Sequence, residues 1–320
     1  MNQNSNSLEN VATAALHKPL VVVGVPAFNE EKTIARVVLE AQKHADVVVV
    51  CDDGSEDLTA AIAERLGADV VRHERNLGYG AALQSLFRRA LELDADVLVT
   101  LDGDGQHDAA EVTKVAEPVV DGDADVVVGS RFLGGVSPVG MRRYRRAGVK
   151  LITRFTNSGS KNGGFSDSQS GFRAYSRKSL ETLVLFEKGM GASVEILREA
   201  RKAGLRVVEV PVSCRYNNGD GVKTYRRNPV SHGVGVLMSI VKLVVEDRPL
   251  LFLGIPGILC LLAGTFFGVW MLQMYAVEHR IVTNVALASV AFVLIGFFAL
   301  STAITLYAIS RLAERTNGQQ

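Results

Sequence analysis

Apolar residues fall in short, Val-rich runs at Leu20–Val25, Val47–Cys51, Val97–Leu101 and Val126–Gly129, with a shorter run at Val70–Arg72. Continuous short runs of this kind predict strands covered on both faces, as in a parallel sheet. The intervening segments carry a helical period. Ile34, Val37, Val38 and Ala41 repeat at i, i+3, i+4 and i+7 and predict an amphipathic helix. Further along, Ser193–Ala203 reads as a helix and Arg206–Val212 as a strand, and a helical stretch is expected near Ala147–Asn157. The βαβα alternation predicts an α/β fold with an open, mainly parallel, Rossmann-like sheet and helices on both faces. Sheets of this type bind ligands beyond the carboxyl ends of their strands.

The pattern changes at the end of the chain. Pro249 to Val277 contains no charged residue, and neither does Thr283 to Ser310. Each stretch exceeds the roughly 20 residues that cross a bilayer's hydrocarbon. Glu278, His279 and Arg280 mark a short turn between them, so a two-helix transmembrane hairpin is expected, with both ends on one side. Lys242 and Arg248 precede the hairpin and Arg311 and Arg315 follow it, whereas Arg280 in the turn is offset by Glu278. The positive-inside rule therefore places the main domain and both termini of an integral membrane protein on the cytoplasmic side. Asn228–Pro229 reads as a helix cap with proline at the first position, and Leu237, Ile240, Val241 and Val244 share one face of the helix that follows. That helix is expected to lie on the membrane surface. The expected order is a disordered lead over 1–19, a catalytic domain over 20–227, an interfacial amphipathic helix over 228–248, a hairpin over 249–310 and a cytoplasmic tail over 311–320. The two spans are placed at about 250–275 and about 284–309.

Net charge adds a limit. At a formal +1 over 320 residues, no global field argues for nucleic acid, so basic sites must be local. Cys51, Cys214 and Cys260 are odd in number, widely spaced and lack a CxxC pair, which disfavours a disulfide framework or a zinc site.

Four polar clusters end the expected strands: Pro26–Glu30, Asp52–Gly54, Asp102–Gln106 and Ser130–Arg131. They would converge on one sheet edge. In Asp102-Gly103-Asp104-Gly105-Gln106-His107 two carboxylates two residues apart, separated by glycine, can aim at one hard cation such as Mg²⁺ or Mn²⁺. A calcium loop would need glycine and glutamate where His107 and Thr113 stand. Asp52 and Asp53 can accept from a ribose hydroxyl or a nucleobase imino group, with Asp53 the expected ligand, while Ser55 or Asp57 can cap the next helix. Leu77-Gly78-Tyr79-Gly80 begins like a dinucleotide fingerprint, but Leu83 replaces the third glycine. Those glycines let the chain pass close to a ligand, or simply turn. Arg142, Arg143, Arg145, Arg146, Arg215, Lys223, Arg226 and Arg227 form basic groups ahead of the hairpin, where anionic lipid is one partner and a phosphate ligand another.

Taken with Asn76-Leu77-Gly78, Gly129-Ser130-Arg131 and Ser170-Gly171-Phe172-Arg173, these clusters resemble family 2 glycosyltransferases. Their order and spacing resemble more narrowly the polyprenyl-phosphate group, the dolichyl-phosphate mannose and glucose synthases. The resemblance covers roughly Leu20 to Lys223 and implies a GT-A fold that uses a nucleotide-diphosphate sugar (GDP- or UDP-linked) with Mg²⁺ or Mn²⁺. By motif it implies that Pro26, Phe28, Glu30, Asp52, Asp53, Asp102 and Gly103 line the donor. Asp104 and Gln106, with Asp102, would hold the metal. Arg131 would contact phosphate, Asp167 would lie near the sugar, and Arg145, Arg146, Arg215 and Lys223 with Arg131 would hold an acceptor phosphate. The implied reaction moves a hexose to a membrane polyprenyl phosphate with inversion, for glycan assembly. A processive synthase would carry Q-x-x-R-W, but the one tryptophan here is Trp270 in the first span. A soluble acceptor, or nucleotide-sugar binding without catalysis, is the remaining alternative. A homo-oligomer is compatible with the hairpin, with no number specified.

Overall fold

Buried valine runs alternating with amphipathic segments give a seven-stranded sheet in the computed structural model, which describes residues 18–135, 141, 146, 148–150, 153–154, 157, 164–189, 191–215 and 250–317. Contacts divide the chain into two compact units between Leu237 and Met238. In the first, β1 (Val21–Ala27), β2 (Val47–Asp52), β3 (Asp69–Arg72), β4 (Val97–Thr100), β5 (Val126–Ser130), β6 (Arg173–Ser176) and β7 (Val207–Pro211) take the order β3-β2-β1-β4-β6-β5-β7. All pairings are parallel except those of β6, which runs antiparallel to β4 and to β5.

Helices cover both faces. Side chains alternate along each strand, so Val23, Val25, Val97 and Val99 point one way and Val22 and Leu98 the other. The first set packs under Ile34, Val37 and Val38 of α1 (Ile34–Ala41) and Val112 and Val115 of α4 (Val112–Val120). The second packs under Leu83, Leu86 and Phe87 of α3 (Tyr79–Glu92) and Ile196 of α6 (Ala192–Lys202). The shorter α2 (Thr59–Arg65) and α5 (Arg177–Thr182) complete the layers. The helix expected over Ser193–Ala203 is α6 and the strand expected over Arg206–Val212 is β7. Near 147–157 the described residues are helical. The lead over 1–17 and the amphipathic segment 228–248 lie outside the described residues.

The second unit contains α7 (Ile255–Glu278) and α8 (Thr283–Asn317), after a π-helical turn at Leu250–Gly254. Phe252–Glu278 and Thr283–Ile309 are each long and apolar enough to cross a bilayer, and little of either is buried. That exposure distinguishes them from core helices of a soluble domain, which hide such surface in protein. His279, in the left-handed region at φ 52°, ends α7. The two helices meet through small residues: Gly296 lies against the backbone at Gly257 and Leu261, and the Ser289 hydroxyl donates to the Gly264 carbonyl at 2.8 Å.

Candidate active site

β1 pairs with β2 on one side and β4 on the other, so the strand order reverses at β1 and opens a crevice beyond its carboxyl end. Residues 26–30 and 101–107 flank that crevice. Short bonds tie its walls together. The Thr33 hydroxyl lies 2.8 Å from the Gly103 carbonyl and 3.0 Å from Glu30 Oε2, and Asp53 N–H donates to the Ala27 carbonyl at 2.9 Å. Asn29, in the left-handed region at φ 56°, donates from its backbone to Ser55 Oγ, while its Oδ1 accepts from Glu56 N–H. The loops after β1, β2 and β4 thus form one structure, and Pro26, Phe28, Glu30, Asp52, Asp53, Asp102 and Gly103 are brought to the same edge.

The two carboxylates that end β2 differ in state. Asp53 Oδ1 accepts from Leu77 N–H at 2.9 Å and from His73 Nδ1 at 2.7 Å, and its Oδ2 accepts from Gly78 N–H at 2.8 Å. His73 Nε2 in turn lies 2.9 Å from Ser85 Oγ. Both Asp53 oxygens therefore hold the chain, a structural role beside the donor contact expected of Asp52 and Asp53. Among the described residues, Asp52 Oδ1 is buried without a protein partner. A buried carboxylate oxygen is costly to leave unpaired, so it marks a place for a donor from outside the protein. Just before the next helix, whose N-cap position is Leu58, Asp57 Oδ1 accepts from Thr59 N–H at 2.9 Å. Gly78, at φ 103°, lets the chain press on the Lys188 carbonyl, and Gly80 N–H donates to that same carbonyl. Close chain-to-chain approach is thus a reason for these glycines that neither the ligand nor the turn reading supplied.

In the carboxylate loop, Asp104 Oδ1 accepts from Gln106 N–H at 2.9 Å and Arg36 Nη2 donates to the Gly105 carbonyl at 2.8 Å. Asp102, Asp104 and Gln106 are half-buried. Glu30 feels them from across the crevice. Its carboxyl is pushed up to about 7, first by burial and then by the charges of Asp104, Asp57 and Asp102, against a lowering bond from Thr33. Negative charge is concentrated here in excess. Among the described residues no three His, Cys, Asp or Glu side chains form a closed metal cage. Two carboxylates and an amide oxygen, with the remaining positions left to water and phosphate, fit Mg²⁺ or Mn²⁺.

Arg131 and Asp167 are buried together. Arg131 Nε donates to Asp167 Oδ2 at 2.6 Å and Nη2 to Oδ1 at 2.8 Å, a bidentate pair reinforced by the Arg131 backbone N–H at 3.2 Å. Glu209 of β7 accepts from the backbone of Ser166 and of Asp167 and so fixes this turn. His107 bridges to Cys214, and Arg215 N–H donates to the Gln106 carbonyl at 2.9 Å. Burial, then the charge of Arg131, holds the His107 imidazole below its ordinary pKa, in keeping with a structural histidine. Arg215 is exposed, and Arg146 carries a buried Nε with no hydrogen-bond partner among the described residues. Arg145 and Lys223 lie outside the described residues.

Sequence reasoning missed the supports: Thr33, Arg36, His73, Glu209 and, behind Asp102, Tyr79, Thr100 and Arg173. None is among the expected site residues, although Tyr79 stands in the Leu77–Gly80 segment and Arg173 in the Ser170–Arg173 motif. Burial, followed by the Asp102 charge, raises the Tyr79 hydroxyl pKa well above its ordinary value.

With this geometry the likeness to known proteins can be placed. Residues 22–184 match the family described as Glycosyl transferase family 2. A dolichyl-phosphate hexose transferase of Haloferax volcanii is 33% identical over 230 residues, 71% of this chain and 94% of that protein. A UDP-N-acetylglucosamine–dolichyl-phosphate N-acetylglucosaminyltransferase of Methanococcus voltae is 33% identical over 222 residues, 62% of this chain and 86% of that protein. Among solved structures, the Mycobacterium tuberculosis glucosyl-3-phosphoglycerate synthase, crystallised with Mn²⁺, UDP and glucosyl-3-phosphoglycerate, aligns at a TM-score of 0.53 and 22% identity. It covers 72% of this chain and 81% of that one, a likeness of fold. The mainly parallel sheet with its inserted antiparallel strand is of the GT-A type, and this chain belongs to glycosyl transferase family 2, among the relatives of its polyprenyl-phosphate group.

Proposed function

We propose that the protein transfers a hexose from a GDP- or UDP-linked sugar to a membrane polyprenyl phosphate of the dolichyl type, with inversion at the anomeric carbon. One observation carries the reading: the Asp102–Asp104 loop sits at the sheet's reversal point in a chain that also has two bilayer-length helices. A polyprenyl chain stays in lipid, so only its phosphate has to reach the crevice. The names of the dolichyl-phosphate relatives support this acceptor.

The chain's own groups divide the work. Pro26, Phe28 and Glu30 line the donor, and the unpartnered Oδ1 of Asp52 accepts from its base or ribose. Asp53 keeps the loop at 77–78 in place. Asp104, Gln106 and Asp102 hold Mg²⁺ or Mn²⁺, which when bound neutralises the diphosphate and makes it a better leaving group. Arg131 and Asp167 form the floor under the sugar and the donor phosphate. Arg146 and Arg215, with Arg145 and Lys223, draw in the acceptor phosphate, and the buried Nε of Arg146 supports that role. The C1–O bond to the diphosphate breaks as a C1–O bond to the lipid phosphate forms on the opposite face. A phosphate monoester, with a second pKa of about 6, is already largely dianionic near neutrality and needs no general base.

The test is transfer of radiolabel from GDP- and UDP-sugars in membranes that contain the protein. Label is expected in a mild-acid-labile lipid, and Asp104→Ala should abolish it without unfolding the chain. Label found only in polymer or water-soluble glycan would overturn the acceptor, and undiminished transfer by D104A would overturn the metal site.

A further inference from the structure

The antiparallel pairing of β4 with β6 sets Val97 opposite Ser176, Leu98 opposite Tyr175, Val99 opposite Ala174 and Thr100 opposite Arg173. Continued by two residues, the same register sets Asp102 opposite Gly171. Period-two alternation then gives one face shared by Leu98, Thr100 and Asp102 on one strand and Gly171, Arg173 and Tyr175 on the other. The contacts follow that register. A Cβ placed on Gly171 would stand 2.5 and 2.8 Å from the two Asp102 carboxylate oxygens and 2.8 Å from the Tyr79 hydroxyl. The Asp102 carboxylate therefore lies against the bare Cα of Gly171, with Tyr79 closing the same space.

Gly171 is itself pinned. The Thr100 hydroxyl donates to its carbonyl at 2.7 Å. Arg173, 1% exposed, donates from Nε to the Ser170 carbonyl and from Nη2 to the Ser168 carbonyl, each at 2.9 Å. Anchors on the carbonyls of Ser168, Ser170 and Gly171 make the path of this short turn stiff, and the same turn carries Asp167 to Arg131. The positive-φ region is not in use at Gly171, so backbone freedom does not explain the glycine. Space does.

We infer that Gly171, pinned by Thr100 and Arg173 and capped by Tyr79, is the positioning element that sets the Asp102 carboxylate for donor-linked metal binding. This rests on the reading of Asp102 given under the proposed function. Any side chain at 171 must displace the carboxylate or the Tyr79 hydroxyl, since the carbonyl anchors keep the turn from yielding. The buried cation of Arg173 stands behind the acidic loop and holds the turn from the protein side.

Mn²⁺ binding followed by electron paramagnetic resonance on the purified full chain, with the nucleoside diphosphate selected by the donor screen, tests this. Gly171→Ala should weaken Mn²⁺ binding by about 10-fold or more, the size seen when groups supporting a metal ligand are changed, with the thermal midpoint retained. Tyr79→Phe on that background removes the competing hydroxyl and should restore about 3-fold or more, a coupling the double-mutant cycle reads directly. Unchanged Mn²⁺ affinity in G171A, or a G171A loss that Y79F does not relieve, would overturn the inference. Should G171A fail to fold, Thr100→Val cuts the carbonyl anchor at nearly constant volume. It must then weaken Mn²⁺ binding, and wild-type affinity in T100V is equally fatal. Asp102→Asn separates the two levels: wild-type Mn²⁺ binding in D102N sinks the underlying reading, whereas loss in D102N with none in G171A sinks this inference alone.

Discussion

Glu30 loses part of its hydration in the crevice and faces Asp104, Asp57 and Asp102, so its carboxyl titrates near about 7 instead of 4.5. A raised carboxyl pKa means the fold prefers the protonated form. The stability this gives is fully present below 4.5 and is lost as pH rises through about 7. Glu30→Gln should therefore raise the melting temperature of the metal-free protein at pH 8 and change it little at pH 5. The gain should be a few degrees at most, because Glu30 is only half-buried and solvent screens part of the repulsion; about 1 kcal/mol moves a domain of this size by ~2–4 °C. Added Mn²⁺ with nucleoside diphosphate should shrink the advantage. Differential scanning across pH 5 to 8 checks all of this. Arg131 and Asp167 present the opposite case, a paired charge with almost no water. Asp167→Ala leaves a buried guanidinium unmatched and should cost ~3–5 kcal/mol in denaturant unfolding, while replacing both partners with apolar residues of similar volume should cost much less.

At the scale of elements, the strands built from valine runs were legible because a parallel sheet buried on both faces leaves a continuous apolar signature. The sheet's carboxyl edge was legible for the same reason, since every polar cluster follows such a run. β6 was not. Arg173-Ala-Tyr-Ser has no apolar run, and its arginine is buried only because the preceding turn offers two carbonyls to it. Nor could the sequence separate Asp52 from Asp53. Adjacent residues at a strand end point to opposite sides, and which side faces the crevice depended on His73, Leu77 and Gly78 arriving from elsewhere. The hairpin was legible as two charge-free lengths, but its packing was not. A Cβ at Gly296 would come within 2.7 Å of the Gly257 carbonyl oxygen and 2.8 Å of Leu261 N, both backbone atoms of α7. Gly296→Leu should force the helices apart at an overpacking cost of ~1–3 kcal/mol. A lowered unfolding midpoint of the full chain in mixed micelles, matched by little change for Leu at the exposed Leu294 position replaced with Ala, would report it.

At the scale of the whole molecule, charge-free helices only make sense of a lipid acceptor if the crevice and the basic residues stand on the leaflet from which a nucleotide sugar is supplied. If both helices span, the segments before α7 and after α8 share one side and the Glu278–Arg280 turn lies on the other. By the positive-inside rule, Lys242, Arg248, Arg311 and Arg315 against Arg280 with Glu278 would make the side of the termini the cytoplasmic one, the orientation we propose. His279→Cys should then react with a membrane-impermeant maleimide added outside intact cells, and Thr316→Cys only after permeabilisation. The native thiols leave the experiment readable. Cys51 and Cys214 are buried, and the Cys51 thiol is pushed up to about 12, first by burial and then by Asp53 and Asp52, so little thiolate is present to react. Cys260 lies within the first membrane helix, where the reagent does not reach, and a Cys260→Ala background removes its contribution altogether. Labelling of T316C from outside, with H279C protected, would invert the arrangement and put the crevice on the side opposite the cytoplasmic nucleotide-sugar supply. Such a result would remove the basis for a nucleotide-sugar donor while leaving the fold untouched.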